Sequence, residues 1–149
     1  MRRLNILILF GFLLLSACAQ NAGGPGKGTP MNAQLLRNEL AAIPGAVVTE
    51  EPLRVRFPVG ALFAQQALLP MPGGVEVLDP LAAVLQKSQR NWLLKLRAST
   101  GEGAEYDAKL AAERAVVLKT YLTAAGVRPE SLEFTSVAEP GDPLELHLQ

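Results

Sequence analysis

Residues 105–126 read Glu105-Tyr106-Asp107-Ala108-Lys109-Leu110-Ala111-Ala112-Glu113-Arg114-Ala115-Val116-Val117-Leu118-Lys119-Thr120-Tyr121-Leu122-Thr123-Ala124-Ala125-Gly126. Apolar side chains return at Tyr106, Leu110, Val117, Leu118, Tyr121 and Leu122 with a helical period, and Gly126 is a natural terminator. Glu105 to Ala125 is therefore expected to be the longest helix of the chain. Advancing about 100° per residue from Leu110 puts Arg114 at about 40°, between Val117 at about −20° and Leu118 at about 80°, with Tyr121 at about 20°. A permanent positive charge thus stands inside the apolar stripe, where it either lies under packing or opens at the edge of a cleft. Burying it without a partner is costly, so a carboxylate is expected beside it, supplied by this chain or by a ligand. The planar guanidinium suits a bidentate carboxylate from either source.

Outward from this helix, strands and helices alternate. Ala46-Val47-Val48 and Leu53-Arg54-Val55-Arg56-Phe57, joined by Thr49-Glu50-Glu51-Pro52, read as a hairpin that Pro58 ends. Leu53, Val55 and Phe57 alternate with arginines as a strand with one buried face requires. Val75 to Ser88 carries Leu78, Leu81, Ala82 and Leu85 at i, i+3, i+4 and i+7, which marks a helix starting either near Pro72 or at Asp79-Pro80. Trp92 to Leu96, Leu132 to Ser136 and Leu144 to Leu148 read as strands, the last two separated by Pro140-Gly141-Asp142-Pro143. The expected class is α+β, a two-layer arrangement with a mixed sheet and helices on one face.

Towards the N-terminus, Leu35, Leu36, Leu40 and Ile43 suggest a short amphipathic helix in residues 32–45, stopped by Pro44-Gly45. Residues 19–31, Ala-Gln-Asn-Ala-Gly-Gly-Pro-Gly-Lys-Gly-Thr-Pro-Met, have almost nothing to bury and read as a tether spanning roughly 20 Å. Before it, Met1-Arg2-Arg3, the apolar run Leu4 to Leu15 and Ser16-Ala17-Cys18 have the form of a secretory signal peptide over residues 1–17. The run is short of the roughly 20 apolar residues that span a bilayer, so a retained membrane helix is the weaker reading. Removing residues 1–17 takes away Arg2 and Arg3 and leaves a mildly acidic chain.

The 149 residues are 49% hydrophobic and 19% charged, enough apolar material for one domain with a core. Fourteen Lys plus Arg balance fourteen Asp plus Glu, so no basic excess exists to neutralise phosphates and nucleic acid is not an expected partner. One cysteine, Cys18, and one histidine, His147, preclude an internal disulfide and a multi-thiol or multi-histidine metal site. No metal or other cofactor is expected. His147, flanked by Leu146 and Leu148 on the final strand, reads as a solvent-facing edge residue, and Glu50-Glu51 as ordinary turn charges. The loop Gly101-Glu102-Gly103 lacks the lysine and spacing of a phosphate loop. With no nucleophile and base in sight of each other, no enzyme is expected.

Two resemblances carry the functional expectation. Leu15-Ser16-Ala17-Cys18 resembles the lipobox of bacterial lipoproteins, which implies acylation at Cys18; several acyl chains anchor a protein stably, since each buried CH₂ contributes about 0.8 kcal/mol. Ala19, in place of an aspartate, resembles lipoproteins sent to the outer membrane. Leu53 to Pro58, Leu78-Asp79-Pro80-Leu81-Ala82-Ala83-Val84-Leu85, Tyr106 to Ala115 and Tyr121 to Val127 are similar, in order and spacing, to the OmpA-like domain, across residues 46–149. The resemblance implies a β-α-β-α-β-β fold and a non-catalytic module that holds the diaminopimelate of peptidoglycan stem peptides, with Arg114 on a ligand carboxylate. The family usually has Gly-His-Thr-Asp before the long helix, where its aspartate meets the ligand ammonium; this chain has Leu96-Arg97-Ala98-Ser99. Ser99 offers a hydrogen bond but no charge. Thr100 and Glu102 in the adjoining loop, and Asp107 in place of the usual asparagine, complete the candidate ligand-binding set. The alternative is an interaction subunit of an envelope assembly, for secretion or motility, that has kept the scaffold and lost wall affinity.

Overall fold

The computed structural model describes residues 31–149. The expected signal peptide, the acylation site Cys18 and the tether up to residue 30 lie outside the described residues. From the N-terminal end the elements are α1 (Ala33–Ala41), β1 (Val47–Thr49), β2 (Arg54–Phe57), α2 (Val75–Ser88), β3 (Trp92–Arg97), α3 (Ala104–Ala124), a 3-10 turn (Pro129–Ser131), β4 (Leu132–Val137) and β5 (Leu144–Leu148). The class is α+β, as the alternation predicted.

The five strands form one mixed sheet in the order β1-β2-β5-β3-β4. β3 and β4 are parallel, with Trp92 opposite Leu132 and Leu94 opposite Phe134; the other neighbours are antiparallel. Register puts Val55, Phe57, Trp92, Leu94, Leu96, Leu144 and Leu146 on a single face, all buried, because paired residues share a side of the sheet. The opposite face carries Arg54, Arg56, Lys95, Arg97, Glu145 and His147.

Under the apolar face lie the helices. Leu36 and Leu40 of α1, with Ile43, enter the same core as Leu78, Leu81 and Leu85 of α2, so residues 32–45 pack as part of the folded body rather than as a separate element. Even Met31, expected to close the tether, is half-buried against that core, and its carbonyl accepts from Arg90 Nη2 at 3.4 Å. α2 begins at Val75, the earlier of the two expected starts, and Pro80 lies inside it. Proline has no N–H to give in a helix interior, yet the helix holds because Leu78, Leu81, Ala82 and Leu85 are all buried and tertiary packing outweighs propensity. Trp92 is wholly buried and donates its indole N–H to Ser88 Oγ at 3.2 Å, which ties β3 to the end of α2. After α3, Gly126 turns with φ of 92°, a left-handed value that glycine takes without strain.

Two expectations need correction. His147 is not on an edge: β5 lies between β2 and β3, and the imidazole, 26% exposed, has its Nε2 3.0 Å from Glu145 Oε1. Strand order, which places the last strand in the middle, is set by tertiary pairing that the local pattern of residues 144–148 does not encode. Tyr106 was expected on the inward side of α3 but is 45% exposed. The buried residues Asp107, Leu110, Ala111, Arg114, Leu118 and Leu122 centre the inward direction near Leu118, at about 80°, which leaves Tyr106 at about −40° on the margin.

Candidate functional site

Arg114 is 1% exposed and is among the largest fully buried side chains of the described residues. Its stripe position on α3 points it into the seam between that helix, the end of β3 and the long β2–α2 connection. There it meets no carboxylate. Nε donates to Ala67 O at 2.8 Å, Nη2 to Ala64 O at 2.8 Å and Gln65 O at 3.0 Å, and Nη1 to Arg97 O at 3.1 Å. Cζ lies 4.9 Å from the centroid of the Phe63 ring, within cation–π reach. The expected acid within the chain is thus replaced by backbone carbonyls, which satisfy the donors while leaving the charge without an ion-pair partner. Residues 64–67 have no helical or strand period, so no local pattern signals that their carbonyls converge. Burial draws the guanidinium below its ordinary pKa, and Tyr106 and Asp107 oppose that shift without cancelling it. It stays protonated at any physiological pH.

Beside Arg114 is a hollow of about 230 Å³, lined also by Val59, Gln65, Arg97, Ala98 and Ser99. Pro140, Gly141 and Pro143 of the β4–β5 connection complete the lining. Gly141, with φ of 141°, lies so close to Arg97 that an added Cβ would stand 3.0 Å from Arg97 Cδ. The only charged residues in this lining are the two arginines. Arg97 is already engaged: its Nη1 pairs with Glu145 Oε2 at 2.5 Å on the helix-free face of the sheet. Burial pushes the Glu145 carboxyl up, but Arg97 first, then His147 and Arg54, outweigh it and hold its pKa below the ordinary value.

The other expected site residues divide into two groups. Ser99 shares the hollow with Arg114, as the ungapped spacing suggested. Asp107, buried at 7% exposure, accepts from Thr100 N at 3.0 Å and Thr100 Oγ1 at 2.6 Å, so this pair fixes the loop ahead of α3 and turns towards itself. Thr100 Oγ1 also accepts from Glu102 N at 3.2 Å. Glu102 does not line the hollow at Arg114; it borders a separate, open recess of about 470 Å³ with Gly103, Tyr106 and Lys109. Sequence reasoning missed Gln65, whose Nε2 donates to Ser99 O at 3.2 Å across the mouth of the hollow. Among the described residues no helix is long and apolar enough to cross a membrane, and no group of three or more His, Cys, Asp or Glu could hold a metal ion.

No protein-family model matches the chain, and no curated protein matches it. Solved structures do. The cell wall anchor of the T6SS from Pseudomonas aeruginosa is 19% identical, with a TM-score of 0.60, over 80% of this chain and 96% of that one. A putative MotB-like protein from Desulfovibrio vulgaris is 21% identical, with a TM-score of 0.58, over 78% and 90%. The OmpA-like domain of FopA1 from Francisella tularensis is 14% identical, with a TM-score of 0.52, over 70% and 80%. At such identities the likeness is one of fold, and the fold of residues 31–149 is that of the OmpA-like domain.

Proposed function

We propose that this protein is a non-catalytic envelope lipoprotein whose OmpA-like domain associates with peptidoglycan, taking a stem-peptide carboxylate into the hollow beside Arg114. One observation carries the reading: the hollow has no acidic residue in its lining, and Arg114, which borders it, has no acid paired to it. A carboxylate entering there gains from the guanidinium in a setting shielded from water. Ser99 offers its hydroxyl to the same ligand, while Thr100 and Asp107 keep the loop in shape and Glu102 stands outside. The structural likeness to a cell wall anchor supports the same reading. Cleavage after residue 17 and acylation of Cys18 would hold the domain at the outer membrane, within tether reach of the wall.

A second reading, an architectural subunit of an envelope assembly without wall affinity, is favoured by a different observation. Four of the five guanidinium N–H groups of Arg114 already have carbonyl acceptors, which leaves little for a ligand. Sedimentation with purified sacculi separates the two. The wall reading expects the protein to co-sediment and Ser99→Tyr, a bulky side chain at an exposed position of the lining that makes no bond to Arg114, to remain in the supernatant. Wild-type protein that stays in solution while correctly folded refutes the wall reading and favours the architectural one.

A further inference from the structure

We infer that the hollow discriminates against a free ammonium: it selects stem-peptide carboxylates whose neighbouring amine is acylated, as in a cross-link, over those that keep the amine free. This rests on the wall-binding reading and adds its selectivity.

The grounds are the charges and hydrogen-bonding groups of the lining. A free amino-acid end brings a carboxylate and an ammonium together. The carboxylate finds Arg114, but the ammonium finds that same guanidinium and no acid in the lining, whose other charged residue, Arg97, is already paired with Glu145. The nearby carboxylates are committed elsewhere: Glu145 to Arg97 on the opposite face of the sheet, Asp142 to Arg56, Glu139 to Lys95, and Asp107 to Thr100 in the loop. An ammonium lodged here would be desolvated beside like charge, with no counter-ion. Acylation removes that charge and leaves one amide N–H, a demand that the single hydroxyl oxygen of Ser99 can meet. The missing acid at position 99 therefore changes which ligand is accepted rather than only weakening the site. Specificity of this kind comes from what is repelled as much as from what is held.

The test uses one soluble disaccharide-tetrapeptide from peptidoglycan, before and after acetylation of its free amine, titrated into the full chain in detergent micelles by calorimetry. The acetylated form is expected to bind at least 10-fold more tightly to wild-type protein, and Ser99→Asp, which supplies the counter-ion, is expected to reverse the order. Equal affinity for the two forms, or tighter binding of the free amine, overturns the selectivity and leaves wall binding standing. If wild-type protein binds neither form, both readings fall together.

Discussion

Replacing Arg114 by methionine keeps an unbranched apolar stem, ends it two atoms short and removes every donor at once. Four carbonyl oxygens, of Ala64, Gln65, Ala67 and Arg97, then lose their partner. A hydrogen bond contributes about 1 kcal/mol net, so the set amounts to about 4 kcal/mol. Part returns, because Gln65 is exposed and its carbonyl can find water, and because methionine no longer carries a buried charge. The expected net loss is roughly 3 kcal/mol, a sizeable share of the roughly 5–15 kcal/mol that holds a domain folded. Arg114→Lys keeps the charge on a compact ammonium that cannot span both the 64–67 loop and the end of β3, and should lose about 2 kcal/mol. Trp92, the single tryptophan and wholly buried, reports urea unfolding by fluorescence. With an m-value of about 1.5 kcal/mol/M, the methionine variant should unfold at a midpoint lower by about 2 M. A shift worth less than about 1 kcal/mol would mean that the loop is not fastened by Arg114, and the account of the buried cation would be wrong.

The carboxyl of Glu145 sets the acid side of stability. Its folded-state pKa lies below the ordinary value, so its stabilising contribution is full above the unfolded carboxylate pKa of about 4.3 and is lost as pH falls through the folded value. Glu145→Gln should thus be about 1–3 kcal/mol less stable than wild type at pH 7, since the Arg97 partner is mostly buried. That gap should close as pH drops below about 4; a gap that stays constant from pH 7 to pH 3 contradicts the ion-pair account. At the N-terminus, cells fed labelled palmitate should label the wild-type chain and leave Cys18→Ser unlabelled, and an unlabelled wild type would remove the lipid anchor from the proposal.

Elements whose own residues carry the instruction were legible. The alternation Leu53, Val55, Phe57 gave β2 its buried face, and the i, i+3, i+4, i+7 series from Leu78 gave α2. A single arginine amid apolar neighbours left Arg114 either under packing or at the edge of a cleft, and it lies buried beside one. Its partners were not legible, because they are main-chain oxygens of a loop whose conformation depends on the arginine itself. Nor was the central position of β5, since no local signal distinguishes a central strand of alternating residues from an edge one. Pro80 pulled one reading of the α2 start too far along the chain, where packing of Val77 and Leu78 prevails over the lost hydrogen bond. In the candidate site, counting back from Tyr106 placed Ser99 beside Arg114. It could not show that Glu102 faces another recess, because that depends on how Thr100 and Asp107 fold the loop.

The reception of a wall carboxylate at Arg114 is tested most directly by side-chain NMR of the arginine Nε–H groups during addition of soluble muropeptides. The Arg114 signal, held at Ala67 O, should shift in a saturable way together with the backbone amides of Ala98 and Ser99, while those of Glu102 and Gly103 stay in place. Saturable shifts elsewhere in the domain with Arg114 unmoved, or no shifts at all, would contradict the account.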